Sequence, residues 1–185
     1  MYIPEVTEAG LGIVPTASTI TQLSIGDALA VATLNKKKIS KKDFKKFHPS
    51  GSLGAKLKTV EDLMITKNKI PFINESASMK NALKVITQKK LGILISKNQK
   101  GNTTGIITDG QIRRISQKNR DLHSLKVKNV MTKNPIKVDK EILAIKALSI
   151  MNSKKITSLC VYSKNNKSKT IGIIHIHNIL ENTTN

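Results

Sequence analysis

The sequence predicts an α/β protein in which one β-α-β-β-α module occurs twice. The first observation is an internal repeat: residues 60–96 align with residues 127–163, and Met64 is matched by Met131. The second is that each copy combines one stretch with the apolar spacing of an amphipathic helix with short apolar runs of strand type. The third is that each copy closes on a glycine-led strand followed by a helix, at Gly105 and at Gly172.

In the first copy an extended segment is followed by a helix, a strand, a turn, a strand and a helix. Ala82, Leu83, Val85 and Ile86 fall on one side of the predicted helix, and "LGILIS" after it is typical of a strand. The polar stretch "SKNQKGN" predicts the turn, because Asn and Gly tolerate left-handed backbone. The last two elements are predicted from "GIITDGQIRRI".

The second copy repeats this order. Ile145, Ala147, Leu148 and Met151 share one face of a predicted helix, "SLCVYS" is typical of a strand, and "SKNNKSK" predicts the turn. The copy ends on "GIIHIHNILEN". Cys160, the only cysteine, lies in the "SLCVYS" strand, so we expect a core thiol and exclude a disulfide within the chain.

The segment before the repeat, residues 1–59, is too short for an ordinary independent domain. It contains an Ala-rich apolar helix, "TQLSIGDALAVATLNKKK", that we expect to be buried on most sides. Its lysine-rich end suits the negative end of the helix dipole. A second helix is predicted from Ser40, with Asp43 completing a capping box, to about Phe47. These pieces indicate the end of a larger domain.

Composition narrows the function classes. The formal net charge of +20 suits nucleic acid, but only three of the 32 basic residues are arginines and the five aromatic residues do not alternate with basic ones. We therefore do not expect a specific nucleic-acid partner. No apolar stretch is long enough to span a bilayer, and the N-terminus, with Glu5 and Glu8, lacks an export signal. These features predict a cytoplasmic protein without a membrane partner.

The repeated pattern resembles the cystathionine-β-synthase (CBS) domain. The spacing of Val60 and Met64, the helix, and the ending "GIITDGQIRR" carry the likeness, which runs to about Glu181. The resemblance implies a tandem pair, with one domain at residues 60–122 and the other at 123–185. Such pairs pack through their sheets, bind adenosyl nucleotides or other ligands in clefts, and regulate a domain attached to them.

His48 lies in the stretch "FHPSGSLGAKL". Pro49 disfavours helical geometry at the residue before it, so we expect His48 to leave the helix in an extended conformation. Gly51 and Gly54 allow a tight turn after it. A histidine on such a corner is either a packing residue or a proton-transfer group with a near-neutral pKa, and the local pattern leaves both open.

Residues 14–57 together with the repeat resemble the D-arabinose-5-phosphate isomerase family. The motifs "PTAST", "GDALA" and "HPSGSLG" occur in the family's order, followed by a CBS pair. The resemblance implies that residues 1–59 are the C-terminal part of a doubly wound sugar-isomerase (SIS) domain. It also implies an enzyme that interconverts D-ribulose 5-phosphate and D-arabinose 5-phosphate for lipopolysaccharide synthesis.

The same resemblance gives roles to individual residues. It makes His48 the general acid or base of the aldose–ketose isomerisation, a task that suits a group with a pKa near neutrality. Ser50 stands where the family more often has glycine, and we expect Asp27 to have a structural role. No cofactor and no metal are implied. We expect this piece to be inactive alone, and the full enzyme to be a homo-oligomer, a tetramer by family.

The CBS resemblance also predicts a ligand cleft. Gln111 and Asn178 occupy the family's ribose-binding carboxylate positions, and an amide offers one accepting oxygen where a carboxylate offers two, so adenosine affinity should be weaker. Arg113 and Arg114 keep an anionic effector, such as a nucleotide or nucleotide sugar, plausible. The predicted lining is Ser76, Thr108, Asp109, Gln111, Asn129, His175 and Asn178.

Three functions remain open at this point. The first is a piece of the isomerase with sugar phosphate as its substrate and a regulatory CBS pair. The second is a stand-alone CBS module that senses a ligand or holds an oligomer together without catalysis. The third, a basic nucleic-acid binder, predicts salt-sensitive binding to unrelated duplexes.

Overall fold

A computed structural model describes residues 5–40, 43, 47, 51–118 and 121–183, and the chain divides into two compact units, Met1–His48 and Pro49–Asn185. The predictions made for His48, Pro49 and Ser50 lie outside the described residues. Among the helices that are described, none combines the length and the apolarity needed to cross a bilayer.

The first unit contains the predicted apolar helix as α1, Ala17–Lys36. The Ser18 side chain hydrogen-bonds to the Glu8 carboxylate, which also accepts from the N–H and hydroxyl of Thr16 and from the N–H of Ser18. These bonds lower the pKa of Glu8 to about 2. The predicted capping contacts are present, since Asp43 Oδ2 accepts from the N–H and the hydroxyl of Ser40.

The expected burial of α1 is not observed. No residue of α1 is buried, and Ile20 and Leu23 are each about two-thirds exposed. Asp27 is exposed as well. A helix this apolar is ordinarily covered by a partner surface, which the described residues do not supply.

The second unit holds the repeat. Its first half contains the elements α2 (Gly51–Lys56), α3 (Val60–Leu63), β1 (Ile65–Thr66), β2 (Phe72–Asn74), α4 (Met79–Lys89), β3 (Ile93–Lys97), β4 (Thr103–Thr108) and α5 (Asp109–Lys118). Its second half contains α6 (Val127–Val130), β5 (Thr132–Lys133), β6 (Lys137–Asp139), α7 (Ala144–Lys154), β7 (Ser158–Tyr162), β8 (Gly172–His175) and α8 (Ile176–Thr183). The β-α-β-β-α order is confirmed in both copies, each preceded by a short helix and a two-residue strand.

The main helices begin and end for local reasons. Ser78 caps α4 by accepting a hydrogen bond from the N–H of Asn81. Both α4 and α7 end at a lysine in the left-handed conformation, Lys90 at φ 54° and Lys155 at φ 53°. This geometry stops each helix and turns the chain into the following strand.

The copies form two separate four-stranded sheets that exchange an edge strand. One sheet has the order β2-β3-β4-β5 and the other β1-β8-β7-β6, so β1 of the first copy pairs with the second and β5 of the second pairs with the first. The registers match: Gly105 lies opposite Lys133, and Gly172 opposite Thr66. The predicted pair of modules is confirmed, and no continuous sheet runs through both copies in the described residues.

The short helix in front of each copy is exchanged in the same way. The N–H of Val60 donates to Ile142 O at 2.9 Å, and the N–H of Val127 donates to Ala77 O at 2.9 Å. Val60 is buried in the core of the second copy, whereas Val127 and Val130 are buried in the core of the first. Each core is therefore completed by the other copy.

The two sheets pack against each other through alternate residues of their strands. Ile93 and Ile95 of β3, Cys160 of β7 and Ile173 of β8 form an apolar layer between the sheets, while Leu94 points into a helix-covered core. Cys160 is 1% exposed, and burial raises its pKa to about 11. The predicted core thiol is confirmed.

A methionine covers each of the two strand glycines. A Cβ placed on Gly105 would lie 2.7 Å from Met131 Sδ and 2.7 Å from the backbone oxygen of Thr132. One placed on Gly172 would lie 2.5 Å from Met64 Sδ. The matched Met and Gly positions of the repeat therefore meet crosswise, and only glycine leaves room for the exchanged segment.

The close approach at Gly105 predicts a stability effect. Gly105→Ala forces the methyl group against Met131 and the paired backbone of β5, so we expect the free energy of unfolding to fall by about 1–3 kcal/mol, the usual cost of overpacking. Urea denaturation measures this change. Gly110→Ala is the matched control, because a Cβ there has no neighbour closer than 3.7 Å. Equal stability of the two variants would contradict the crosswise packing.

Candidate functional site

A cleft of about 530 Å³ lies where the two copies meet, and we call it the Thr108 cleft. It is formed by the start of β3, the junction of β4 and α5, the start of β7, the end of β8 and the segment that joins β5 to β6. Both copies line it. A ligand bound there therefore contacts both halves of the repeat at once.

The junction of β4 and α5 is held close to the start of β3. The N–H of Asp109 donates to Gly92 O at 3.1 Å. Gly92 has φ +63°, and a Cβ on it would lie 3.2 Å from Asp109 Oδ2. Glycine at this position thus allows the Asp109 carboxylate to approach the strand, which places Thr108 and Asp109 at the cleft.

The cleft has apolar walls and a mixed charged rim. Leu91, Ile93 and Ile106 come from the first copy, and Ile156 from the second. The charged residues are Asp109, Arg114 and Lys155. The walls suit a flat or apolar ligand part, and the two cations suit an anionic part.

His175 is the titratable group of the cleft nearest to neutrality. It ends β8, is half-buried, and its Nδ1 accepts a hydrogen bond from the N–H of His177 at 3.3 Å. The two imidazole rings stack with centroids 5.0 Å apart. Burial, and secondly repulsion from His177, lower the pKa of His175, so it is neutral at pH 7 without a ligand.

Gln111 faces the exchanged segment. Its Nε2 donates to Val130 O, and its Oε1 accepts from Thr132 Oγ1 at 3.2 Å. Both ends of the amide are therefore occupied by the segment that pairs with β4. The Gln111 side chain, which was expected to contact ribose, therefore hydrogen-bonds to Val130 and Thr132 of the protein.

The other predicted cleft residues are distributed around the module. Thr108, Asp109 and His175 line the Thr108 cleft. Asn178 lines a different cleft of about 450 Å³ next to residues 63–69. Ser76 and Asn129 are exposed and line neither of these two clefts. The structure thus brings three of the seven predicted residues together.

Sequence reasoning missed Lys155 and the segment Asn134–Ile136 as cleft residues. The repeat itself could have indicated Lys155. This residue is the second-copy equivalent of Lys90, and both lie where a helix ends and a strand that borders the cleft begins. No comparable signal marked Asn134, since its place at the cleft depends on the exchange of β5. Within the described residues, no group of three or more His, Cys, Asp or Glu side chains could hold a metal ion.

Comparison with known proteins places this geometry in context. An arabinose 5-phosphate isomerase, KdsD, from Yersinia pestis is 40% identical over 171 residues, which is 92% of this chain and 51% of the relative. The Escherichia coli K12 enzyme of the same name is 39% identical over the same length. The chain thus spans about half the length of these curated relatives.

Solved structures share the fold of the second unit. A crystal structure of CBSX2 in complex with AMP has a TM-score of 0.58 at 22% identity, covering 66% of this chain and 93% of that chain. The CBS domain of a bacterial CNNM/CorC family Mg²⁺ transporter in complex with ATP has a TM-score of 0.59 at 14% identity, covering 71% of this chain and 91% of that one.

The family profile of the CBS domain matches residues 60–118 and again residues 127–184. These stretches contain the duplicated sheets, the exchanged segments and the Thr108 cleft. The chain belongs to the CBS domain family, as a tandem pair homologous to part of KdsD.

Proposed function

We propose that this chain is the regulatory part of a D-arabinose-5-phosphate isomerase and that its CBS pair binds an anionic effector of the nucleotide class in the Thr108 cleft. The observation that carries the proposal is a single cleft built by both copies, with apolar walls beside Arg114 and Lys155. An effector there stabilises one arrangement of the two copies, which is how a pair of this kind transmits binding to an attached domain.

The chemistry of the lining supports a nucleotide. A base can pack between isoleucine side chains, and a phosphate can be met by the Arg114 guanidinium and the Lys155 ammonium. The relatives of known structure with AMP or ATP bound support the same ligand class. Because Gln111 is engaged by Val130 and Thr132, the ribose hydroxyls gain little from that position, and phosphate contacts carry most of the affinity.

The first prediction separates the cleft from general basic charge. Arg114→Gln removes a phosphate-binding cation from the cleft lining, so we expect the Kd for AMP, measured by isothermal titration calorimetry, to rise about tenfold. Arg113→Gln is the matched control, because it removes the same charge at the neighbouring position. The Arg113 side chain is exposed and lies outside the cleft lining. Equal weakening by both variants would argue against binding in this cleft.

The second prediction concerns pH. The pKa of His175 is lowered in the free protein, and a bound anion raises it, so ligand binding takes up a proton and becomes more favourable as the pH falls. Between pH 7.5 and 5.5, we expect the affinity of the wild type for AMP to increase relative to that of His175→Gln. Comparing the two proteins cancels the titration of the phosphate itself.

His123→Gln serves as the control for the pH experiment. His123 is exposed in the short turn at residues 122–124 and does not line the cleft. Its variant should follow the wild type at every pH. A His175→Gln protein with the wild-type pH dependence would remove His175 from ligand binding.

We further propose that the longer enzyme is an aldose–ketose isomerase in which His48 is the general acid or base. Support comes from the "HPSGSLG" motif and from the 40% identity to Yersinia pestis KdsD, which extends over 92% of this chain. Proton transfer between neighbouring carbons requires a group that titrates near neutrality, and His48 supplies one. The rest of the active site belongs to the half of the relatives that this chain does not span.

The third prediction tests His48 in a chimera that joins the N-terminal half of the Yersinia pestis relative to this chain. His48→Gln keeps a hydrogen-bonding side chain but cannot exchange protons, so kcat should fall by about 10²–10⁴-fold with an unchanged melting temperature. The 185-residue chain alone should not turn over ribulose 5-phosphate. A near-normal kcat in the variant, or turnover by the chain alone, would contradict the assignment.

The alternative function is a stand-alone CBS module that senses a ligand or holds subunits together. The exposed apolar face of α1 supports an assembly role, because such a surface is usually covered by another chain or domain. Both functions are compatible with a homo-oligomer in the cytoplasm, and only the isomerase function gives the chimera activity.

A further inference from the structure

A second cleft of about 520 Å³ lies at the opposite end of the strands, where the two β-hairpins turn, and we call it the hairpin cleft. Thr103, in its lining, makes a contact between the copies: the hydroxyls of Thr103 and Thr170, which are 67 residues apart, lie 2.8 Å from each other. The N–H of Thr103 also donates to Ser168 O at 2.9 Å. Residues of both copies thus hold the hairpin cleft. Its lining includes neither the start of β3 nor the start of β7, and Asn134 borders both this cleft and the Thr108 cleft.

Three lysines face the hairpin cleft. Lys133 comes from the exchanged strand β5, Lys137 from β6 and Lys167 from the turn between β7 and β8. Glu75 is the one carboxylate in the lining. In the described part of the chain, neither of the ion pairs, Lys140–Glu61 and Lys164–Glu141, includes any of these three lysines. The cleft therefore carries an excess of positive charge, with three lysines and one carboxylate in its lining.

Two of the three lysines are absent from the equivalent places of the first copy, whereas Lys167 is matched by Lys100. Lys133 corresponds to Thr66, and Lys137 corresponds to Phe72. Both copies fold with the same strand order and register, so the fold does not require a cation at either position. The charge of the hairpin cleft is therefore a property of one end of the duplicated module and calls for a separate explanation.

The rest of the lining is polar and fixed in place. Thr103 and Thr104 hydroxyls are held by Thr170 and Ser96, and Asn98 Oδ1 accepts from the N–H of Asn102 at 3.0 Å. Met131 is the apolar side chain in this lining. The side-chain amides of Asn98 and Asn102 can donate to a ligand with several hydroxyl groups, whereas the isoleucine walls of the Thr108 cleft match a flat apolar ring.

We propose that the hairpin cleft is a second binding site, specific for a phosphorylated sugar. Lys133, Lys137 and Lys167 bind the phosphate, and the side-chain amides of Asn98 and Asn102 bind the sugar hydroxyls. The site differs in place and chemistry from the nucleotide cleft, so the module has one site for each ligand class. A sugar phosphate bound at the contact between Thr103 and Thr170 stabilises the packing of the two copies from the turn end.

The test uses the 185-residue chain and D-arabinose 5-phosphate as the probe, with D-arabinose and inorganic phosphate as separate arms. NMR titration should shift the amides of Thr103, Thr104 and Ser168, and saturating AMP should leave these shifts in place. D-arabinose alone should not bind, and inorganic phosphate should bind more weakly than the sugar phosphate. Shifts confined to residues before 60, or competition by AMP, would overturn the proposal.

Two double variants with the same loss of charge complete the test. Lys133→Gln/Lys167→Gln removes two exposed cations of the cleft, and the Kd for arabinose 5-phosphate should rise about tenfold or more. Lys80→Gln/Lys84→Gln removes two exposed cations from α4, away from the lining, and should leave the Kd within about twofold, because distant surface charges are screened. Equal effects of the two variants, or inorganic phosphate binding as tightly as the sugar phosphate, would contradict a sugar-phosphate site.

Discussion

The exchange of the leading segments is the constraint on which the second unit depends. Met64 covers Gly172 and Met131 covers Gly105, while β1 and β5 complete the sheets of the opposite copies. Val60 and Val127 fill the opposite cores at 0% exposure. Because neither core is complete without a segment from the other copy, a single copy would expose a sheet edge and a row of apolar side chains. The duplication is therefore a requirement for stability as well as a pattern in the sequence.

The same packing creates both clefts. Ile95, Cys160 and Ile173 hold the two sheets face to face, and the space left at each end of this apolar layer opens to solvent. One end is bordered by strand starts and a strand-to-helix junction, where apolar side chains and backbone groups meet. The other is bordered by hairpin turns, which are rich in Thr, Asn and Lys. The different composition of strand starts and turns is the physical basis for proposing a different ligand class at each end.

Gln111 affects both ligand binding and the packing of the exchanged segment. A carboxylate at this position would face the backbone oxygen of Val130, which the Gln111 amide instead satisfies as a donor. The side chain thus secures the exchanged segment, at the expense of contacts to a ribose. In the proposed binding mode, effector affinity depends on the cations and on His175, whose pKa burial lowers and a bound anion would raise.

The sequence by itself determined the repeat, the order of the main helices and strands and the core position of Cys160, and its resemblance to the CBS domain implied two sheets packed on each other. Apolar periodicity and the matched Met and Gly positions can be read directly from the linear sequence. The resemblance to the CBS domain also led to Thr108, Asp109 and His175, which lie where predicted strands end. Only the tertiary structure decided that Met64 and Met131 act on the opposite copy, that Gln111 is occupied, and that Lys133, Lys137 and Lys167 share a cleft. These facts depend on strand exchange between segments far apart in the chain, and local propensity carries no information about which copy a short segment will join.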